Sequence, residues 1–255
     1  MEVFLNPDAW IALVTLTFLE IVLGIDNIIF ISIATGKLPA EKRKKATKLG
    51  MFLAMFMRIA LLFGINLLIQ MKEPWFRIDL SWFSAGITGQ SIILLLGGLF
   101  LIYKSTNEIR EKVDEKGHEE KEMKEAATKS FQNVILQIIM IDLVFSFDSI
   151  LTAVGMTNGV EGAIYIMITA VIISVFIMMQ FAVPVGNFVN KHPSIQILGL
   201  AFLILIGMML LTESAHLSNA LIFGSHVTPL PKGYLYFAIT FSLVVEMINM
   251  KIKKK

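Results

Sequence analysis

A chain of 255 residues with 56% hydrophobic side chains and a mean hydropathy of +0.73 is too apolar for a soluble domain, where about 45–50% is usual. The net charge of +2 says little, because the charged residues are gathered into a few stretches rather than spread along the chain. With no cysteine, disulfides, thiolate metal sites and a cysteine nucleophile are all excluded.

A helix of about 20 apolar residues crosses the hydrocarbon core of a bilayer. On that rule seven spans are expected, at roughly 11–34, 49–69, 87–103, 133–154, 163–185, 195–212 and 233–250. Glu2 and Asp8 precede the first run and no Lys or Arg does, so that run reads as a retained helix rather than a secretory signal. Most of the 22 basic residues fall in the 35–48 and 104–132 loops, at Lys191 and at the carboxyl terminus. All of these lie on one side of a seven-span topology. Lys and Arg gather on the cytoplasmic side, so an outside amino terminus and an inside carboxyl terminus are expected. The 104–132 loop also carries acids from Glu108 to Glu125, together with His118. It reads as a solvated, partly helical linker with local ion pairs. Pro184 and Pro193 punctuate the turn between the fifth and sixth spans.

The first and fourth spans hold acids with one spacing. Glu20-Ile-Val-Leu-Gly-Ile-Asp26 is answered by Asp142-Leu-Val-Phe-Ser-Phe-Asp148. A charge at the bilayer centre costs about 3 kcal/mol even on the lenient insertion scale. A shift of 122 residues lays Glu20 on Asp142, Asp26 on Asp148, Asn27 on Ser149, Gly64 on Gly186 and Arg58 on Gln180. A second offset pairs Leu-Gly at 96–97 with 198–199. Spans 1–3 therefore resemble spans 4–6. Since three is odd, the halves run in opposite directions, an inverted repeat of the kind common in secondary transporters. The expected fold is an all-α polytopic membrane protein with about seven transmembrane helices, a 3+3 inverted repeat plus one. It forms a single membrane domain over 1–255: repeat 1 about 10–103, charged cytoplasmic linker 104–132, repeat 2 about 133–212, final helix about 233–250.

Inversion places Asp26 and Asp148 near the midplane, with Glu20 toward the outside and Asp142 toward the inside. Acids six residues apart are about 9 Å apart along a continuous helix and some 120° around it. They converge only if the helix is broken, for which Gly24 and Ser146 offer equivalent places. A lone membrane carboxylate can also serve as a helix–helix hydrogen bond, but duplicated pairs at matched depth favour cation binding. Arg58 is the only basic residue at that depth and reads as a counter-ion. Glu246, followed by Asn249, could be a gate or proton acceptor, or half of an interfacial pair. The ligand groups at hand are the carboxylates of Glu20, Asp26, Asp142 and Asp148, the side chains of Asn27, Ser149 and Thr152, and backbone carbonyls. These hard donors suit Mn²⁺, Ca²⁺ or Mg²⁺ better than Zn²⁺ or Cu⁺. The 15 Met residues show no repeated pair and read as filler or lipid-facing groups. Glu213 and His216 form either an interfacial pair or a release site.

At Glu20…Gly24-Ile-Asp26-Asn27, Asp142…Phe147-Asp148-Ser149 and Tyr234…Val245-Glu246…Asn249 the chain resembles the TerC family of bacterial integral membrane proteins. The resemblance runs over essentially the whole chain. Family members are similar to a wider group of cation exporters that includes the lysine exporters and the Glu-x-Gly-Asp cation–proton exchangers. What the resemblance implies is Mn²⁺ export across the inner membrane, with the motif acids as ligands. Other members are tied to tellurium resistance or to metallation of secreted proteins. The sequence ends at Lys255 without the soluble CBS and transporter-associated domains that longer members append. No enzymatic chemistry and no prosthetic group are expected. The expected partners are the bilayer and a divalent cation, Mn²⁺ or Ca²⁺, with proton antiport as the coupling. Contact with a second copy or with the secretion machinery, and no nucleic acid, complete the expectation. Two rival functions are an assembly or metallation factor docking through the 104–132 loop and an exporter of an organic cation. An intramembrane aspartyl protease is disfavoured, because Asp26 follows Leu-Gly-Ile and no Pro-Ala-Leu motif occurs.

Overall fold

In a computed structural model the described residues are 2–114, 131–157, 160 and 162–253. The middle of the charged linker, with His118, and the terminal Lys254 and Lys255 lie outside them. Seven helices among the described residues are long and apolar enough to cross a membrane: α1 (Pro7–Gly36), α2 (Ala40–Phe63), α4 (Gly89–Asp114), α5 (Phe131–Met156), α6 (Ala163–Lys191), α7 (Pro193–Leu217) and α8 (Lys232–Lys253). A short α3 (Ile65–Gln70) follows α2. Large apolar side chains such as Phe18, Phe52, Phe56, Phe181 and Phe237 stand exposed on their outer faces, where a bilayer would meet them.

Several helices run past the apolar windows. Asn6 caps α1 through its side chain, which accepts from the Asp8 N–H, and Pro7 takes the first turn, where its missing donor costs nothing. The second helix begins at Ala40 rather than 49, because Lys42, Lys44, Lys45 and Lys48 point outward while Ala46, Thr47 and Gly50 are buried. It also stops at Phe63, short of 69. The linker expected from 104 to be solvated and partly helical with local ion pairs continues α4 to Asp114, with i,i+4 pairs Lys104–Glu108 and Arg110–Asp114, but its inner face is not solvated. There Glu108 is buried and held by Lys104 one turn earlier at 2.7 Å. Pro184 does not end a span but lies inside α6, and Pro193 opens α7.

The chain divides into two compact units, and each draws on both repeats. Unit 1 comprises residues 1–66 and 118–191, with α1, α2, α5 and α6. Unit 2 comprises residues 67–117 and 192–255, with α4, α7 and α8. In unit 2 the 70–90 connection is a β-hairpin, β1 (Pro74–Asp79) against β2 (Phe83–Thr88). The two-residue strands β3 (Leu221–Ile222) and β4 (Ser225–His226) extend the sheet in the order β1-β2-β3-β4. Helices α4 and α7 cross antiparallel, with the Ser214 hydroxyl donating to the Ser91 carbonyl at 2.6 Å and Gly98 facing Gly207. A Cβ on Gly98 would stand 2.7 Å from the Gly207 carbonyl oxygen, a backbone atom that cannot retreat without moving its helix. Gly98→Val is expected to cost about 1–3 kcal/mol, the usual penalty of overpacking. It should lower the apparent melting temperature in detergent, whereas Gly233→Val, with open space around it, should not.

The repeat is visible in the burial pattern. At the 122-residue shift, buried Leu13, Leu16, Glu20, Asn27, Ile28 and Thr35 of unit 1 fall on buried Ile135, Ile138, Asp142, Ser149, Ile150 and Thr157. The second and fifth spans need a different register. At a shift of 120, every buried α2 residue from Ala46 to Leu62 falls on a buried α6 residue from Ile166 to Ala182. At 122 none does. Arg58 is therefore matched by Met178 and not by the exposed Gln180, and the Gly64–Gly186 pairing lapses with it. Apolar helices align at many offsets, so letter matches alone could not see a two-residue difference. One contact repeats under these registers: the Thr47 hydroxyl donates to the Thr35 hydroxyl at 3.4 Å, and the Thr157 hydroxyl to the Met167 sulfur at 3.8 Å.

Candidate functional site: a guanidinium between two buried carboxylates

Unit 1 brings three buried charges together. Glu20 and Asp142 lie close to the centres of α1 and α5, and Arg58 comes from α2. All three are at most 6% exposed. The Arg58 Nη1 donates to Glu20 Oε2 at 2.5 Å, Nη2 donates to Asp142 Oδ1 at 2.6 Å and Nε to Asp142 Oδ2 at 3.1 Å. One face of the guanidinium thus forks onto Asp142 and its far arm reaches Glu20, a geometry that a lysine cannot reproduce.

Asp142 is further ringed by its neighbours. Asn27 Nδ2 donates to Oδ1 at 3.3 Å, and the Ser146 hydroxyl, one turn on, donates to Oδ2 at 3.0 Å. An ionised carboxylate offers about four lone-pair sites, and four donors meet this one. That bond also fixes the Asn27 amide, since its oxygen would be repelled by the carboxylate. Asn27 Oδ1 is then left buried with no hydrogen-bond partner. Asn27 also lines a cavity of about 20 Å³, together with Gly24, Arg58, Asp142, Val175 and Met178, among others. A space of about 10–15 Å³ already holds one water, so a single small guest fits. Gly24 makes the wall: a Cβ there would overlap the Met178 sulfur.

The break for which Gly24 and Ser146 offered places does not occur, for α1 and α5 are continuous helices through both residues. Glu20 and Asp142, expected toward the outside and the inside respectively, meet on one guanidinium. Ser149 is buried and its hydroxyl turns back to the Ser146 carbonyl at 3.3 Å. Asp148 is half-buried, with the Thr152 hydroxyl on its carbonyl. The side chain of Asp26 lies outside the described residues. In unit 2, Asn249 Nδ2 donates to Glu246 Oε2 at 3.4 Å on the exposed side of α8, while Glu213 is half-buried and His216 exposed. Among the described residues no three acidic, His or Cys groups gather closely enough to hold a metal by themselves. Sequence reasoning passed over Met178, and only the 120-residue register marks it as the partner of Arg58.

The family model described as "Integral membrane protein TerC family" matches residues 5–255. The chain is 46% identical over 249 residues to a UPF0053 protein of Haemophilus influenzae, covering 98% of this chain and 96% of that one. It is 46% identical over 250 residues to the UPF0053 inner membrane protein YgdQ of Escherichia coli K12, with the same coverage. The longer E. coli UPF0053 inner membrane protein YoaE is 41% identical over 250 residues, 98% of this chain and 44% of that protein. No solved structure matches the chain.

Proposed function

The chain belongs to the TerC family of integral membrane proteins, and on that footing we propose that it exports a divalent cation, Mn²⁺ foremost, across the bacterial inner membrane. The observation that carries this reading is the Arg58 bridge. Two buried carboxylates, one from each repeat, close on a cation that the protein itself supplies, beside a small cavity that Asn27, with its unused oxygen acceptor, helps to line. Carboxylates kept at this depth need a positive partner. In the resting carrier Arg58 is that partner, and in the loaded carrier a metal ion takes over part of its work. Asp142 and Asn27 hold the ion, Glu20 keeps Arg58 nearby, and Asp26, Asp148 and Ser149 belong to the path on either side.

The tethered guanidinium changes the case for proton antiport. Bare carboxylates left behind by a departing metal would have to regain protons, whereas Arg58 returns to Asp142 and satisfies it without one. A proton role is then left to Asp148, outside the Arg58 bridge. A depression of about 250 Å³, lined by Asp8, Thr15, Leu16, Met156 and Thr157 among others, opens in unit 1 at the amino end of α1. Leu16 is one turn from Glu20, and we place this opening on the release side, with the amino terminus outside. The "inner membrane" in the names of relatives supports the location.

The test is Mn²⁺ flux in proteoliposomes, followed with an enclosed metal-quenched dye. The native protein is expected to move Mn²⁺, and Asp148→Asn to slow it by about tenfold or more, the effect of losing roughly 1.4 kcal/mol of ion binding. No flux by the native protein, or full flux by Asp148→Asn at normal protein level, overturns the proposed path.

A further inference from the structure

We propose that Met178 is the residue that makes the carrier prefer a d-block cation to Ca²⁺ or Mg²⁺, its thioether sulfur completing a mixed site with Asn27 Oδ1 and Asp142. This rests on the transport reading above and narrows its cargo.

Met178 stands where the repeat would place a second Arg58. At that position one half of the protein has a cation and the other a soft, neutral donor. Both line the same cavity. Met178 is buried, and its sulfur lies against the bare Cα of Gly24, one turn before Asn27 on the same helix. Any larger residue at 24 would push the sulfur away from the helix that carries the amide. A methionine serving only as filler should close the space around it, yet here a cavity of about 20 Å³ remains, with Asp142 and Asn27 among the residues that line it. The second observation is an amide oxygen. Asn27 is 6% exposed and its Oδ1 accepts from nothing, so it stands ready for a cation.

The donor chemistry sets the preference. Ca²⁺ and Mg²⁺ take oxygen ligands almost exclusively, and a thioether gives them nothing in exchange for lost water. Divalent d-block ions accept oxygen and sulfur together, more strongly along the series from Mn²⁺. A site of one carboxylate, one amide oxygen and the Met178 thioether, with Met51 also on the cavity wall, therefore discriminates where an all-oxygen site would not.

The test reads binding apart from transport. Native protein, Met178→Leu and Met178→Cys are purified in detergent, and their melting is followed with Mn²⁺, Cd²⁺, Ca²⁺ and Mg²⁺, since a ligand bound to the folded state raises the melting temperature. Leucine keeps the volume and removes the sulfur. Native protein should be stabilised by Mn²⁺ and Cd²⁺ at concentrations at least tenfold below those needed for Ca²⁺. Met178→Leu should lose that tenfold gap, and Met178→Cys should keep it for Cd²⁺. Equal selectivity in native protein and Met178→Leu overturns the role of the sulfur while leaving cation transport intact. Absence of stabilisation by any divalent ion in the native protein overturns the site itself. Should Met178→Leu fail to fold, loss or retention of the Cd²⁺ preference in Met178→Cys decides the matter.

Discussion

Replacing Arg58 by Gln is expected to be the most damaging single change in the molecule. Glu20 and Asp142 are 6% and 5% exposed, and glutamine can neither fork onto one carboxylate nor reach the second. Removing one member of a buried ion pair costs about 3–5 kcal/mol, mostly the penalty of stranding the charge that remains. Here two charges are stranded. The variant should accumulate poorly and melt well below the native protein in detergent. The compensated triple variant, Arg58→Gln with Glu20→Gln and Asp142→Asn, removes all three charges and should recover most of that stability. It should move no metal. Arg58→Lys should fall between, because an ammonium is a point charge that keeps one contact and loses the fork. If Arg58→Gln melts like the native protein, the guanidinium is not what holds the carboxylates.

How much of this was legible from the letters depends on how unusual each residue is in its surroundings. Glu20, Asp142 and Arg58 stand out because almost nothing else charged lies within the apolar runs. Arg58 was readable as a counter-ion, but which carboxylates it joins was not. Depth counted from span edges set Glu20 and Asp142 in opposite halves, whereas both lie at the middle of helices that overshoot the apolar windows at each end. The overshoot itself was hidden. A hydropathy rule sees the part of a helix that lipid can cover, and the charged first turns of α2 and the last turns of α4 are each held by a buried face of their own, with Glu108 in that of α4. The hairpin of β1 and β2 was also missed, since Trp75, Phe76 and Trp82 among polar residues gave no span and were left as connection. Met178 is one methionine among 15. Only the burial phase of α2 against α6, which needs the fold, singles it out.

The second large effect separates stability from transport. In Asp142→Asn the side chain keeps its shape and Ser146 keeps an acceptor, while Arg58 keeps Glu20. Folding should therefore suffer less than in Arg58→Gln, where two carboxylates lose their partner. Transport should suffer more. Asp142 takes four of the polar contacts around the cavity, and charge-assisted bonds are about twice as strong as neutral ones. Losing about 2–3 kcal/mol of ion binding slows flux by roughly 30–150-fold at subsaturating metal. The repeat alone would make Glu20→Gln equivalent. The structure does not, because Glu20 touches Arg58 through one oxygen and does not line the cavity. The expected order of Mn²⁺ flux in proteoliposomes is native, then Glu20→Gln, then Asp142→Asn, at matched amounts of folded protein. Equal loss in the two variants would return the site to a symmetric pair, and a fully active Asp142→Asn would move the cation off this carboxylate.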